Sequence, residues 1–371
     1  MTARWSGWAH QKFSFRRVKW PTWEEAEEYT QITGGQLELS AFTDLKVDGE
    51  LTFEGLEVPD DHDLVRIYHG YADSSGEHPL KPLATLMFSV AKPTYEGVTV
   101  SGKLECRSLL AVLSSKCYGA PFTIEAGTQA VQKAIDLTES LGLRVNNPDP
   151  SAYAVREAHT FREEEANYLT IVNWLLNAAG YASAWVDAFG VIQMTPYIEP
   201  TERKPSLMLA DDEHSIMYPE LSRHSDYADT PNVVRLCYET DEETLIASAM
   251  NVDPNSRASL PSRGYEVTYR EFISELAGET QAERLANLES MARQKLLDKS
   301  SDIEYVSGRC QYVEGLAPNN AMEIDYARAD LEWRGAITNV NLKLDKSMPA
   351  DFKARRFVRT GLLVEVSSSA I

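Results

Sequence analysis

No run of about 18 consecutive apolar residues occurs in the 371-residue chain, so nothing in it reads as a membrane-spanning helix. No apolar signal-peptide core follows Met1. Cysteine is scarce. Cys106, Cys117, Cys237 and Cys310 lie too far apart for a CxxC metal or redox motif and are expected to be reduced and mostly buried, in a protein assembled in the cytoplasm. Basic charge is also short: 36 Lys and Arg stand against 56 Asp and Glu, a formal net charge of −20. That balance excludes an electrostatic grip on nucleic acid or on an anionic membrane, since both need a net basic surface. It does not exclude a protein that lets DNA pass.

Catalytic signatures are missing too. There is no GxSxG elbow, no P-loop, no GxGxxG and no HExxH. Two acidic clusters, Asp60-Asp61-His62-Asp63 and Asp211-Asp212-Glu213-His214, match no metal-ligand spacing, because consecutive residues on an extended chain point in opposite directions. Both read as solvated loops. Asp44 to Gly49 has the outline of a calcium loop, but Lys46 occupies a ligand position and Gly55 stands where the bidentate acid belongs, so a plain turn is expected. Carboxylate pairs for glycoside hydrolysis carry no weight in a chain with 56 acids. The expectation is no catalytic, cofactor or metal site. An enzyme that cleaves carbohydrate or peptide, with its site in the helical middle or at Asn251 to Gly264, is the alternative.

What is present begins with Asp63 to Asp73, where Val65, Ile67, His69 and Tyr71 alternate with Leu64, Arg66, Tyr68 and Ala72. Both sets are apolar enough to be partly buried, and with Leu83 to Val90 the stretch reads as strand, turn, strand. Similar signals at Phe13 to Phe15, Gln36 to Phe42, Lys46 to Phe53 and Val98 to Leu104 give the first third the pattern of a closed or nearly closed β-barrel. Within it, Thr22-Trp23-Glu24-Glu25 has the form of a capping box and predicts a short acidic helix to about Tyr29, broken by Gly34-Gly35.

The period then changes. Val131, Ala134, Ile135, Thr138 and Leu141 predict a helix capped by Thr128 and stopped by Gly142, and Leu169, Val172, Leu176 and Ala179 predict a second one over 166–179. A hairpin about Asp187 to Gly190 follows. Beyond Pro205, strands are expected at Pro231 to Tyr238, Tyr265 to Tyr269, Glu304 to Val313, Ala321 to Tyr326 and Leu331 to Leu344. A helix over Gln281 to Leu297 carries the stripe Leu285, Leu288, Ala292, Leu296. Asn251 to Gly264 is too long for a simple connection and is expected to be functional or mobile.

Charge is uneven. Residues 1–20 carry Arg4, Lys12, Arg16, Arg17 and Lys19 with no acid, and the other 351 hold 31 basic against 56 acidic groups. Phe13, Phe15, Arg16 and Arg17, with Arg355, Arg356 and Arg359, are therefore the candidate interface residues, expected to dock on the acidic surface of a neighbouring chain. An edge strand packed in its own barrel is the other reading of the arm.

Taken in order, Pro21 to Glu27, Gly34-Gly35, Asp44-Leu45-Lys46, Asp63 to Tyr68, Leu83 to Leu86, Gly127-Thr128, Gly180-Tyr181 and Pro231 to Val234 resemble the hub proteins of phage baseplates and tail tips, over nearly the whole chain. The resemblance implies a mainly β fold with α+β: two tail-tube-like β-barrel domains, 1–107 and 201–371, flanking a helix-helix-hairpin module at 108–200. It also implies a homotrimer in the virion that joins the tail tube, or a distal tail protein, to a tip, spike or fibre protein. DNA would pass through its channel without specific binding. Many such hubs carry a cell-wall-degrading domain; this chain ends at Ile371 without room for one, so no lytic activity is expected.

Overall fold

The computed structural model describes residues 9–58, 62–73, 76–116, 121–146, 153–162, 166–198, 203–212, 215–226, 228–240, 243–273, 276, 280–299, 302–358 and 363–370. The fold is predominantly β. The first third runs β1 (His10–Val18), β2 (Glu25–Glu28), β3 (Ile32–Ser40), β4 (Val47–Gly55), β5 (Leu64–Asp73), β6 (Gly76–Glu77), β7 (Lys81–Glu96) and β8 (Thr99–Ser108). These strands pair antiparallel in the order β3-β4-β8-β7-β5-β1-β2. β5 lies inside the sheet, and Leu64, Val65, Arg66 and Ile67 are all buried, as expected of a strand covered on both faces.

The expected helix before Tyr29 does not form: that segment is the edge strand β2, with Arg16 opposite Glu28 and Val18 opposite Glu25. Trp23 has φ +65°, a left-handed conformation that no first helical turn accommodates. Gly34 and Gly35 do not break the chain either, because β3 runs through both. A Cβ on Gly35 would stand 2.3 Å from the Glu50 carbonyl oxygen, and one on Gly34 2.7 Å from that of Leu344, so glycine here allows close passage between neighbouring strands.

The middle of the chain contributes α1 (Leu110–Ser115), β9 (Phe122–Ile124), α2 (Ala130–Glu139), β10 (His159–Phe161), α3 (Tyr168–Ala178), β11 (Trp185–Val186) and β12 (Ile192–Gln193). Both expected helices and the hairpin are present. Gln129, not Thr128, is the N-cap of α2 and makes no side-chain cap bond, whereas Asn167 caps α3 by accepting from the Thr170 amide (2.9 Å). Leu109, Leu110 and Leu113 join Val131, Ala134, Ile171, Val172, Leu175, Ile192 and Met194 in one apolar core.

Next come β13 (Leu207–Ala210), β14 (Met217–Asp226), β15 (Val233–Glu239), β16 (Thr244–Asn251), α4 (Leu260–Arg263), β17 (Thr268–Ile273) and α5 (Gln281–Lys299). The chain ends with β18 (Asp302–Gln311), β19 (Ala321–Tyr326), β20 (Leu331–Leu344), β21 (Pro349–Val358) and β22 (Val364–Ala370). β20 pairs with β3, extending the first sheet with strands from the last third of the chain: Lys343 stands opposite Gln36 and Asn341 opposite Glu38. β13 adds parallel to β19. The far end of β1 meets this later segment. The Gln11 amide donates to the Lys346 carbonyl (3.3 Å), and the Ala9 amide donates to Gln311 Oε1 (2.9 Å).

Contacts group the chain into two compact units, Met1–Glu220 with Gly308–Lys353, and Leu221–Ser307 with Ala354–Ile371. The division falls inside β14, β18 and β21. In the second unit, β17-β15-β16-β22 form a sheet with α5 on one face. Leu288, Ala292 and Leu296 pack there on Val234, Leu236, Leu245, Ala247 and Ala249, which is the expected stripe, with Leu285 at its margin.

The 251–264 segment is built rather than loose. Asn251 Nδ2 donates to Ser256 Oγ (3.1 Å), Asp253 Oδ1 accepts from the Asn255 amide (2.8 Å), and Ser259 caps α4. Asn251, Asp253, Ser256 and Ser259 are all buried, so the polar composition that reads as a loop is a satisfied buried network. The strand expected at Tyr265 starts at Thr268, because Tyr265 to Val267 instead bond Asn232: Asn232 Nδ2 donates to the Tyr265 carbonyl (3.0 Å) and Asn232 Oδ1 accepts from the Val267 amide (2.8 Å).

Candidate assembly surfaces

The candidate interface residues are divided between the two units. Phe13, Phe15, Arg16 and Arg17 lie on β1, Arg355 and Arg356 on β21 in the other unit, and Arg359 falls outside the described residues. Phe15 is 5% exposed and belongs to its own core. Phe13 is half-buried with its ring 5.8 Å from that of His69.

The cations of the arm meet acids of the same chain. Arg16 Nη1 donates to Glu25 Oε1 (2.8 Å) and its guanidinium stands 5.1 Å above the Tyr68 ring. Arg17 donates to Asp63 Oδ2 (2.6 Å) and pairs with Glu27 at 3.3 Å, while Lys12 reaches Glu77 at 2.5 Å. Edge strand β2 therefore supplies much of the acidic surface that the basic arm implied. Burial alone would raise the Asp63 carboxyl, but the Trp20 amide and Arg17 outweigh it and hold it below the usual carboxylate range. Glu25 is lowered against its own burial by Tyr68 and Arg16. In the second unit, Arg356 donates to Glu304 Oε2 at 2.6 Å, and Arg223 pairs with the same buried carboxylate.

The acidic clusters take structural parts. Asp211 accepts from the Ala327 and Arg328 amides (2.9 and 3.2 Å), and Asp63 is engaged as above. Asp60, Asp61, Glu213 and His214 lie outside the described residues. Among the described residues no group of three or more His, Cys, Asp or Glu is placed to hold a metal ion.

A join absent from the sequence reading fixes the helical module to the sheet. The buried Arg66 on β5 donates to Thr85 Oγ1 (2.9 Å), Glu25 Oε2 (3.1 Å) and the Phe189 carbonyl (3.0 Å). Thr85 in turn donates to the Ala188 carbonyl (2.8 Å), and Arg144 donates to the Phe189 carbonyl (2.8 Å) while stacking 4.0 Å from Trp23. A Cβ on Gly190, at φ +81°, would stand 2.8 Å from Trp23, so the hairpin turn fits its seat only with glycine.

One face of β20-β3-β4-β8-β7 is polar. Register puts Lys343, Gln36, Glu50, Glu105 and Val90 in one row, and Asn341, Glu38, Asp48 and Arg107 in the next. Lys103 donates to Glu50 at 2.7 Å and Lys92 to Glu105, so these two cations sit beside carboxylates across the strands. Burial raises the Asp48 carboxyl, and Arg107 opposes the shift. The polar positions of β4 and β8 were not singled out in the sequence, because they fall into rows only through strand pairing.

The fold is shared with solved phage tail proteins. A tail protein from Neisseria meningitidis MC58 superimposes with a TM-score of 0.61 at 10% identity, over 93% of this chain and 96% of that one. The 43 kDa tail protein of prophage MuSo2 from Shewanella oneidensis gives 0.58 at 12% identity, over 92% and 97%. A chain of the half-lidded Francisella PdpA-VgrG complex gives 0.57 at 9% identity, over 94% of this chain and 58% of that one. No protein-family model and no curated protein matches the sequence.

Proposed function

We propose that the chain is a structural subunit of a phage or phage-derived tail, serving as the hub of the tip or baseplate. In this reading three copies join the tail tube, or a distal tail protein, to tip, spike or fibre proteins. The hub assembles in the host cytoplasm and remains in the virion. The observation that carries the proposal is end-to-end likeness of fold to two tail proteins, at TM-scores of 0.61 and 0.58. Two tube-like barrels within one chain belong to the same proposal.

The polar sheet face supports a role in letting DNA pass. A Lys or Arg free to bind phosphate adds to a salt-dependent, sequence-independent grip. Lys92 and Lys103 already face Glu105 and Glu50, so a passing phosphate would have to displace a carboxylate. The test is the mass of the purified chain, its position in imaged tails, and retention of double-stranded DNA by the assembled ring at about 0.15 M salt. A trimer at the tail tip that does not retain DNA is expected. An active monomer that digests cell-wall carbohydrate or peptide would favour the enzyme reading instead.

A further inference from the structure

We propose that the outer end of β1, Ala9 to Ser14, is a clasp that opens in acid while the rest of its sheet stays folded, and that His69 on β5 is the group that releases it. The proposal goes beyond the assembly reading above and does not depend on it.

β1 is held in two ways along its length. From Phe15 to Val18 it is anchored by apolar burial of those two side chains, and the β2 segment covers its outer edge through Glu25, Glu28 and the Tyr29 amide. From Ala9 to Ser14 the buried side chains are only Ala9, Gln11 and Ser14, with Phe13 half-buried. Polar bonds hold this end. Besides the register with β5, Gln311 accepts from the Ala9 amide and donates to the Ala9 carbonyl, and the Gln11 amide donates to Lys346. A strand end with so little apolar burial opens at a lower free energy than the sheet it belongs to.

One of these polar bonds runs to a titratable group. Gln11 Nε2 donates to the Ala9 carbonyl (3.4 Å), which turns Gln11 Oε1 to His69; the imidazole Nε2–H donates to it, and Nδ1 carries no proton. The buried ring lies among Phe13, Tyr71 and Tyr312, the last edge-on at 5.0 Å, and Tyr71 stacks in turn on His78 at 4.0 Å. The charges about it are few. Glu314 acts on it but pairs with Lys81 at 2.7 Å, Lys81 stands opposite His69 in register, and Lys12 with Glu77 falls on the other face of β1. Among the described residues no carboxylate bonds the ring.

A proton on Nδ1 therefore places a cation among aromatic side chains with no acid against it. Burial accordingly holds the imidazole down at about 4. In the open clasp the ring meets water and takes its proton near the ordinary value of about 6.5. Opening thus binds a proton between these two values and becomes more favourable as pH falls through them. It also uncovers the edge of β5 from Tyr68 to Ala72, which Ser14 to His10 otherwise pair.

The test is hydrogen exchange of the full chain read by mass spectrometry from pH 7 to 4, corrected for the intrinsic pH dependence of exchange. The peptide over Ala9 to Ser14 should lose protection about a hundredfold, while peptides from β3 and β4 keep theirs. His69→Gln retains a donor for Gln11 and takes no proton, so protection of the same peptide should no longer follow pH. Gln11→Ala should lower that protection already at pH 7. Circular dichroism checks that each variant is folded.

Constant protection of the Ala9 to Ser14 peptide in the wild-type chain overturns the proposal. Parallel loss in β3 and β4 overturns it as well, because His69 then governs global unfolding instead of a local clasp. A pH response that survives in folded His69→Gln assigns the opening to other groups, with the same result. Should His69→Gln not fold, nuclear magnetic resonance titration of the wild-type imidazole decides: titration near pH 4 supports the clasp, and titration near 6.5 in the closed chain defeats it.

Discussion

β5 and β16 are both inner strands with antiparallel neighbours, yet they bury their side chains in different ways. Along β16 the odd positions Leu245, Ala247 and Ala249 are buried under α5, and the even positions Ile246, Ser248 and Met250 are half-exposed. Along β5, Leu64, Val65, Arg66 and Ile67 are buried without alternation. The two-sided strand accepts an arginine only because three acceptors surround it: Thr85, Glu25 and the Phe189 carbonyl. A sheet covered on both faces couples the elements on either side, whereas a sheet covered on one leaves a surface available to a partner.

The largest expected effects test burial directly. Ile67→Ala on β5 and Leu288→Ala on α5 each remove a fully buried side chain and should destabilise by about 2–5 kcal/mol in denaturant unfolding. Near-wild-type stability of Leu288→Ala would mean that the stripe on α5 is not packed as described.

The next effect is pH-dependent and belongs to β5 alone. Burial pushes the His69 imidazole from 6.5 down to about 4, against the opposing charge of Glu314. The unfolded chain binds the proton near pH 6.5, so the stability contribution is complete above that value and is lost as pH falls towards 4. The loss amounts to about 3 kcal/mol. His69→Gln should flatten unfolding free energy against pH over that window. An unchanged slope would assign the dependence to other groups.

Smaller still is the seat of the module. Thr85→Val keeps the shape but removes the hydroxyl that accepts from Arg66 and donates to Ala188. It should cost about 1–3 kcal/mol, because a buried charged donor loses its acceptor. On the open face of the other sheet, Ser248→Ala should change stability by no more than about 0.5 kcal/mol. A cost comparable to that of Thr85→Val would mean that this face is already covered within the chain. Glu50→Gln with Glu105→Gln should leave folding almost unchanged and increase DNA retention by releasing Lys103 and Lys92. No gain in retention would argue against the sheet face as a channel lining.

The same contrast explains what could be read in advance. Helices α2, α3 and α5 were legible because helical periodicity is a local signal and each buries one face on a neighbour. β5 was legible from its β-branched and aromatic content even without alternation. The segment Thr22 to Glu25 misled because a capping box is a promise of helix that pairing with β1 overrides: Arg16 and Tyr68 hold Glu25 on the sheet edge. Asn251 to Gly264 misled because polar side chains that satisfy one another inside the protein have the same composition as those that face water. The candidate interface residues were chosen for charge, and charge alone does not say that Arg17 meets Asp63 or that Arg356 meets Glu304.

By itself the sequence determined the β-rich character, the helical middle, the stripe of α5 and the acidic charge, all of which follow from side-chain period and composition. It also carried a resemblance to phage tail proteins, and solved tail proteins share the fold. Only the tertiary structure decided that β20 lies beside β3, that residues 221–307 and 354–371 group into a unit of their own, and that Arg66 locks the hairpin at Phe189. Backbone hydrogen bonds are the same for every residue, so a strand's pattern states which face is buried without naming its neighbour. The neighbour is chosen by the packing of segments hundreds of residues apart.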